Sequence, residues 1–172
     1  EECVRSVLAS DVPLEIIAVD NASSDHTVDC VVRVMAEHPE FRVICNAENR
    51  GFATAVNQGI AASRGDYVLV LNPDCALDPR AIAMALGAMH AMPRAGIAGC
   101  MLLNTDGSEQ AGARRHLPTP WRALVRVLQL HRLHGALPGL DGIVMNREPV
   151  PTQPVEVEAT SGAFMLVRRA AV

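Results

Sequence analysis

The sequence predicts an α/β fold, with a mostly parallel sheet and helices on both of its faces. Two observations carry that prediction. Segments of strand character alternate with segments of helical period through the first 110 residues. Alternation of this kind marks strands joined by crossover helices. The first three strands also lead into polar groups, at Asp20-Asn21, Asn49-Arg50-Gly51 and Asn72-Pro73-Asp74. Open sheets of this class bind ligands beyond the carboxyl ends of their strands.

The elements follow in order. Val4, Val7 and Leu8 share one face of an opening helix. Leu14 to Val19 is a short apolar run that ends at Asp20. Thr27 to Glu37 has helical spacing, with Val28, Val31, Val32 and Met35 on one side and Ser24 or Asp25 as caps. Phe41 to Cys45 is a second strand, Phe52 to Ala62 an Ala-rich helix, and Tyr67 to Leu71 a third strand. Pro79 is expected to open the next helix and Met92-Pro93 to close it. Ile97 to Leu103 is expected as a fourth strand, followed by a turn at Asn104-Thr105-Asp106-Gly107.

The alternation then breaks. Residues 111–154 hold six prolines, and an excursion this long in a compact domain is usually functional or mobile. It contains a helical stretch from about Pro120 to His134, with Trp121, Leu124, Val125 and Leu128 on one face. Arg114, Arg115, Arg122, Arg126 and Arg132 fall between Glu109 and Asp141 with no acid among them. Strand character returns at Val155 to Glu158 and at Phe164 to Val167. We therefore expect one domain over 1–172, with a first part at 1–110, the excursion at 111–154, and the start of a further part at 155–172.

Composition narrows the classes. The chain has 172 residues, 49% of them apolar, enough for a buried core and too many for a disordered chain. The net charge of -4 gives no nucleic-acid signature. All fifteen basic residues are Arg, which we read as coding bias. Five scattered cysteines without a CxxC pair are expected to be reduced thiols of a cytosolic protein. No run approaches the roughly 18 apolar residues of a membrane span. The first residue is not Met, and the sequence starts inside a helix and stops at Ala170-Ala171-Val172. A chain truncated at both ends is expected.

The polar groups each have a task and a plainer alternative. Asn72-Pro73-Asp74 is an ordinary turn sequence, and it also places a carboxylate where a hard cation could bridge to phosphate. Asp20 can accept hydrogen bonds from a base or ribose. Asn21 leads into a helix start, where backbone N–H groups point outward. Gly51 lets a ligand approach the backbone. Asn57 is a mediocre helix former inside a helix, with either a ligand or a neighbouring loop as its partner. Together the groups suit a nucleoside diphosphate, with the base at Asp20, a sugar or ribose near Asn49 to Gly51, and Mg²⁺ or Mn²⁺ at Asp74.

These residues resemble glycosyltransferase family 2. Val19-Asp20-Asn21-Ala22-Ser23-Ser24-Asp25-His26-Thr27 is similar to its VDN-x-S-x-D-x-T segment. Asn49-Arg50-Gly51-Phe52-Ala53 with Asn57-Gln58-Gly59 resembles its NxGFAxxxNxG segment. Leu71-Asn72-Pro73-Asp74 is similar to its LNPD variant of the DxD metal motif, and Ser161-Gly162-Ala163-Phe164 opens its acceptor-side SGAF stretch. The resemblance implies a GT-A fold, the Rossmann-like architecture of nucleotide-diphospho-sugar transferases, here incomplete. It implies inverting transfer from a nucleotide-activated sugar, dTDP- or UDP-linked, to a glycan or lipid-linked acceptor. The members most alike are rhamnosyltransferase-like enzymes of bacterial cell-wall or surface polysaccharide synthesis. It assigns Asp20, Asn21, Asn49, Gly51, Asn57, Asn72 and Asp74 to the donor, Ser161 and Gly162 to the acceptor side, and the metal to Asp74. Asn is a neutral, weaker cation ligand, so Asn72 falls to sugar or ribose. The family's first strand is expected before Glu1, and its catalytic base beyond Val172.

Within the chain Glu156 and Glu158 are the nearest candidates for a base, although their alternation with Val155 and Val157 also fits a half-exposed strand. The basic stretch 114–134 suits peripheral contact with anionic lipid at the inner face of the plasma membrane, or a solvated helix face. His116, His131 and His134 fit surface histidines better than a metal site, with no acid or Cys nearby. A sugar nucleotidyltransferase and a non-catalytic nucleotide-sugar-binding module remain as alternatives. A dinucleotide oxidoreductase lacks its GxGxxG.

Overall fold

The computed structural model describes residues 1–36, 38, 40–130, 143–145 and 149–172. These form two compact units, one of residues 1–98 and 163–172 and the other of residues 99–162.

The first unit begins with helix α1 (Glu2–Leu8) and strand β1 (Ile16–Asp20). Helix α2 (Thr27–Met35) follows, then β2 (Phe41–Cys45), α3 (Phe52–Ala62) and β3 (Tyr67–Leu71). Next come α4 (Ala81–Ala91) and β4 (Ile97–Gly99). β1 and β2 pair in parallel, with Asp20 opposite Cys45. That is the arrangement the alternation predicts, because a parallel pair needs a crossover as long as α2. The remaining strands form a second sheet in the order β3-β7-β4, where β7 is Phe164–Arg168. β7 runs antiparallel to β3, with Leu71 opposite Phe164 and Tyr67 opposite Arg168. The chain ends in a 3-10 turn at Arg169–Ala171.

β7 lies between two neighbours and supplies the core residues Phe164, Leu166 and Val167, while α4 adds Ile82, Ala85 and Met89, and α2 adds Met35. Burying a side chain of this size contributes roughly 1.5–3 kcal/mol. Arg168 fastens the strand from outside. Its guanidinium donates to the carbonyls of Met89 (2.9 Å) and Ala95 (3.3 Å) and to the Tyr67 hydroxyl (3.0 Å). Arg169 does the same for the β3 entry, through the Gly65 and Ile60 carbonyls and the Ser63 hydroxyl.

Several boundaries differ from expectation. α4 starts at Ala81 rather than Pro79, because Asp78 accepts from the Arg80 N–H (2.9 Å) and holds a turn ahead of the helix. α2 stops at Met35, and Glu37 lies outside the described residues. β4 is only Ile97–Gly99; the chain then makes a hairpin, with the Gly107 N–H donating to Asn104 and a bridge from Leu103 to Glu109.

The second unit is built on β5 (Arg114–Arg115), α5 (Pro120–Val127) and β6 (Ala159–Thr160). β5 and β6 pair antiparallel. Thr119 caps α5 by accepting from the Arg122 N–H (3.2 Å), and Pro120 takes the first turn. The helix ends at Val127, short of the expected His134; residues 131–134 lie outside the described residues. Val155 to Glu158 is not a strand, and the pairing begins at Ala159. Glu158 has another use. Its carboxylate accepts from Arg122 (2.7 Å) and the Leu117 N–H (2.7 Å), and His116 Nδ1 lies 3.3 Å away. Arg114 meets Glu109 in a two-pronged pair, both bonds 2.9 Å, with only 10% and 7% of the two side chains exposed.

Two outcomes test this unit. Arg114→Met strands the Glu109 carboxylate and is expected to cost about 3 kcal/mol in denaturant unfolding. Adding Glu109→Gln is expected to recover part of that loss. The Arg122 guanidinium and the Leu117 N–H pull Glu158 from 4.5 down to about 2. A carboxylate with a depressed folded pKa stabilises fully above its unfolded value and loses that contribution as pH falls through the folded one. The melting-temperature gap between the protein and Glu158→Gln should therefore be constant above about pH 4.5 and close towards about pH 2. A gap that ignores pH in this window would rule out the pairing.

Candidate functional site

The parallel pairing of β1 with β2 brings their polar carboxyl ends together. The Asn46 N–H donates to the Asp20 carbonyl (2.9 Å), extending the ladder by one bond. Beyond it the chain builds a set of interlocked amides. Asn21 Nδ2 donates to Asn49 Oδ1 (2.8 Å), and Asn21 Oδ1 accepts from the Arg50 N–H (3.0 Å) and from Asn46 Nδ2 (3.2 Å). Asn49 Oδ1 also accepts from the Gly51 N–H (2.9 Å). Asn46 and Gln58 exchange two bonds of 2.9 Å. α3 supplies Gln58 and packs on β1, where a Cβ at Gly59 would lie 3.6 Å from Val19.

Two backbone positions on this rim have positive φ. Ala22 has φ 66°, and its turn is held by the Ser23 N–H, which donates to both Asp20 carboxylate oxygens (3.3 and 3.2 Å). Gly51 has φ 82° and ψ 160°, a region open essentially to Gly alone. A Cβ there would meet nothing within 4 Å, so the space beside Gly51 is open.

Asn72 and Asp74 form a second group at the end of β3. The Asn72 N–H donates to the Ala163 carbonyl (3.0 Å), continuing the β3–β7 ladder past its last pair. The Asn72 carbonyl accepts from the Cys75 N–H (3.2 Å) and the Cys3 thiol (3.6 Å), so α1 rests against this turn. Ser6 of α1 adds a second tie by accepting from the Leu77 N–H (2.9 Å). Burial raises the pKa of both Cys3 and Cys75, and the Asp74 carboxylate adds to the effect. Asp74 itself is exposed, and the Cys75 thiol, 3.8 Å from Oδ1, is its hydrogen-bond partner among the described residues. No hydrogen bond among the described residues joins this group to the amides of β1 and β2.

The other residues singled out from the sequence fall elsewhere. Asn57 is exposed on α3, and its neighbour Gln58 makes the inward bonds instead. Ser161 and Gly162 belong to the second unit, where the Ser161 N–H donates to the Ala113 carbonyl (3.3 Å). Glu158 is drawn to about pKa 2 by Arg122 and Leu117, which makes it a poor proton acceptor. Glu156 is exposed. Among the described residues no three His, Cys, Asp or Glu side chains gather as a metal-holding group. His131 and His134 lie outside the described residues. All five cysteines are free. No helix among the described residues is long and apolar enough to cross a membrane.

Asn46 went unremarked in the sequence, and Gln58 was named there only within the Asn57-Gln58-Gly59 segment, without a role. Gln is an ordinary helix former and Asn an ordinary residue after a strand. Only their position in space, one after β2 and the other on the inner side of α3, makes them a pair.

Known proteins show similar chains. An N-acetylglucosaminyl-diphospho-decaprenol L-rhamnosyltransferase of Mycobacterium tuberculosis is 32% identical over 95% of this chain and 55% of its own length. A poly-beta-1,6-N-acetyl-D-glucosamine synthase of Staphylococcus aureus is 39% identical over 37% of this chain and 15% of its own. Among solved structures, the mannosyltransferase PcManGT from Pyrobaculum calidifontis, in complex with GDP-Man and Mn2+, is 28% identical. It superposes with a TM-score of 0.55 over 60% of this chain and 31% of that one. The chain spans about half the length of the rhamnosyltransferase. The family described as glycosyl transferase family 2 matches residues 1–171, and this chain, with the GT-A class of α/β fold, belongs to it.

Proposed function

We propose that this chain is the donor-binding part of an inverting glycosyltransferase. It moves a sugar from a nucleoside-diphosphate donor to a lipid-linked or polysaccharide acceptor. The observation that carries the reading is the rim beyond β1 and β2, where the half-buried Asp20 and the amides of Asn21 and Asn49 converge beside the open face of Gly51. A folded rim that carries the Asp20 carboxylate and the Asn49 amide side by side suits a base and a ribose. The likeness to the mycobacterial rhamnosyltransferase favours rhamnose, a dTDP- or UDP-linked donor, and a role in bacterial cell-wall or surface-glycan synthesis at the cytoplasmic side of the membrane. We keep the division into a donor half at 1–110, an excursion at 111–154 and an acceptor-side start at 155–172, with Ser161 and Gly162 on the acceptor side.

The donor set fits a hard divalent cation. Asp74 offers an exposed carboxylate with no arginine salt bridge among the described residues, and one or two carboxylates are what Mg²⁺ commonly takes beside substrate phosphates and water. When bound, such a cation neutralises charge on the leaving diphosphate. The chain's own part is positional. The β3–β7 ladder and the Cys3 and Cys75 contacts hold the Asn72 backbone, which leaves the Asn72 side chain for sugar or ribose and Asp74 for the metal. Asn57, exposed on α3, is a further donor contact. In the transfer the acceptor oxygen bonds to the anomeric carbon as the carbon–oxygen bond to the diphosphate breaks. The hydroxyl proton passes to a carboxylate that the family resemblance puts after Val172.

The membrane contact narrows. Glu109 engages Arg114 and Glu158 engages Arg122, so two of the cations counted from the sequence are paired. Arg126 stays exposed beside Leu124, Val127 and Leu128. Contact with a bilayer would then be mainly apolar. In vesicle flotation, Val127→Asp is expected to reduce binding several-fold and Arg126→Glu to change it little; the reverse order would restore the electrostatic reading.

Calorimetric titration with UDP, dTDP and GDP, with and without Mn²⁺, tests the donor site. Mn²⁺ is expected to tighten binding of one of them, and Asp74→Ala to remove that gain, a loss of about tenfold or more. Equal binding with and without Mn²⁺, untouched by Asp74→Ala, would overturn the metal assignment.

A further inference from the structure

We propose that Asn46 and Gln58 are positioning residues for the 49–51 loop, that Asn21 is an internal strut rather than a ligand contact, and that Asn49 Nδ2 is the donor this assembly presents to an oxygen of the nucleotide sugar. The inference rests on the donor-rim reading above and assigns parts within it.

The polarity of the amides is fixed from the backbone. The N–H groups of Arg50 and Gly51 can only donate, so Asn21 and Asn49 must turn their oxygens to them. Asn49 Oδ1 then holds two donors, the Gly51 N–H at 2.9 Å and Asn21 Nδ2 at 2.8 Å. Both of its lone-pair directions are taken, and its Nδ2 has no hydrogen-bond partner among the described residues. Asn21 Oδ1 likewise accepts from Arg50 and from Asn46, and one of its two Nδ2 hydrogens goes to Asn49. Its oxygen is fully used within the protein, as a strut would be.

Asn46 closes the chain of amides at its inner end. Its two N–H bonds go to Gln58 Oε1 (2.9 Å) and Asn21 Oδ1 (3.2 Å), and its oxygen accepts from Gln58 Nε2 (2.9 Å). Asn46, Gln58 and Asn21 are all partly buried, whereas Asn49 is exposed. Gln58 is anchored in α3, so the reciprocal pair ties the rim to a regular element. Four amides thus run from the body of the unit to its surface, each orienting the next. The last one has a pair of N–H donors beside the open space at Gly51. A ribose or sugar hydroxyl, a carbonyl or a phosphate oxygen would satisfy them.

The test is a double-mutant cycle on nucleotide binding by the whole chain, with UDP, dTDP and GDP as probes in the presence of Mn²⁺. Asn49→Ala and Asn46→Leu are each expected to raise Kd about five- to tenfold. In the Asn49→Ala background, Asn46→Leu should add less than about twofold, because it acts through Asn49. Gln58→Met, a milder change that keeps the charge and shape, should show the same non-additivity and serves if Asn46→Leu does not fold. The exchanged pair Asn46→Gln with Gln58→Asn should regain binding. Melting temperatures run alongside. A variant of Asn46 or Gln58 that lowers melting temperature but leaves Kd alone, or whose effect on Kd simply multiplies that of Asn49→Ala, overturns the positioning role. If neither Asn49→Ala nor Asp20→Asn changes nucleotide binding, the donor-rim reading itself falls and takes this inference with it. If those two weaken binding and Asn46→Leu does not, the inference alone fails.

Discussion

The antiparallel insertion of β7 beside β3 is the constraint on which the first unit depends. The two strands are about a hundred residues apart in sequence, with Tyr67 opposite Arg168. Closing so long a loop is costly in entropy, though the cost grows only slowly with length. Burial of Phe164, Leu166 and Val167 opposes it, and so do the bonds of Arg168 and Arg169 to six acceptors that include the Met89, Gly65 and Ile60 carbonyls. Each arginine reaches carbonyls at a helix end or in a loop, where the backbone ladder does not use them fully. The same ladder runs one bond further, to Asn72, and so fixes the backbone just ahead of Asp74. The fold's longest-range pairing and its candidate metal ligand are parts of one feature.

The two ends of the strands are electrostatically different. Ahead of the strands, Glu15 meets Arg42 (2.8 Å) and Arg64 (3.5 Å), and Arg64 meets Glu40 (2.6 Å). Glu15 also takes the backbone N–H groups of Arg64 and Gly65, which with Arg42 and Arg64 hold its pKa below the usual carboxylate range. Those carboxylates are used up within the fold. Behind the strands, Asp20 is bonded to the Ser23 N–H and Asp74 to a thiol, with no arginine salt bridge to either among the described residues. A carboxylate without a salt-bridge partner in the fold is available to a ligand. The asymmetry gives a physical reason to put ligands at one end and stability at the other, independent of any motif.

Much of this was legible in the sequence. The strands at Phe41 to Cys45 and Tyr67 to Leu71 and the helix at Phe52 to Ala62 have the predicted bounds, because each has clear periodicity and a breaker on either side. The α/β class followed from their order. What stayed hidden was tertiary. Val155 to Glu158 alternates like a strand, yet Arg122 and Leu117 claim Glu158, and two-residue strands such as β5 and β6 carry no pattern to read. The basic stripe looked continuous because its neutralising partners, Glu109 and Glu158, lie outside it. Asn57 drew attention because Asn is unusual inside a helix, but one residue further round the helix, at about 100°, Gln58 makes the inward contacts.

The rim loops show what the fold sacrifices for that arrangement. Ala22 is one of two non-glycine residues with positive φ, at 66°, among the described residues. Left-handed backbone at a residue with a Cβ costs of order 1 kcal/mol or more, and it persists only where the surroundings over-determine it. Here the determinants are visible: the Ser23 N–H is held on the Asp20 carboxylate, and Asn21 is gripped by Asn46, Asn49 and the Arg50 N–H. On the facing loop Gly51 adopts a conformation open essentially to Gly, although the space where a Cβ would stand is empty. Packing therefore does not require glycine at 51; the backbone conformation does. Two adjacent loops, after β1 and after β2, each adopt an unfavourable backbone and each are pinned by the same amides. A chain selected for stability alone has cheaper ways to turn. The bonds that hold Ala22 and Gly51 in place make sense as the means of keeping one surface in one shape before a ligand arrives, so that the ligand does not have to supply the ordering itself.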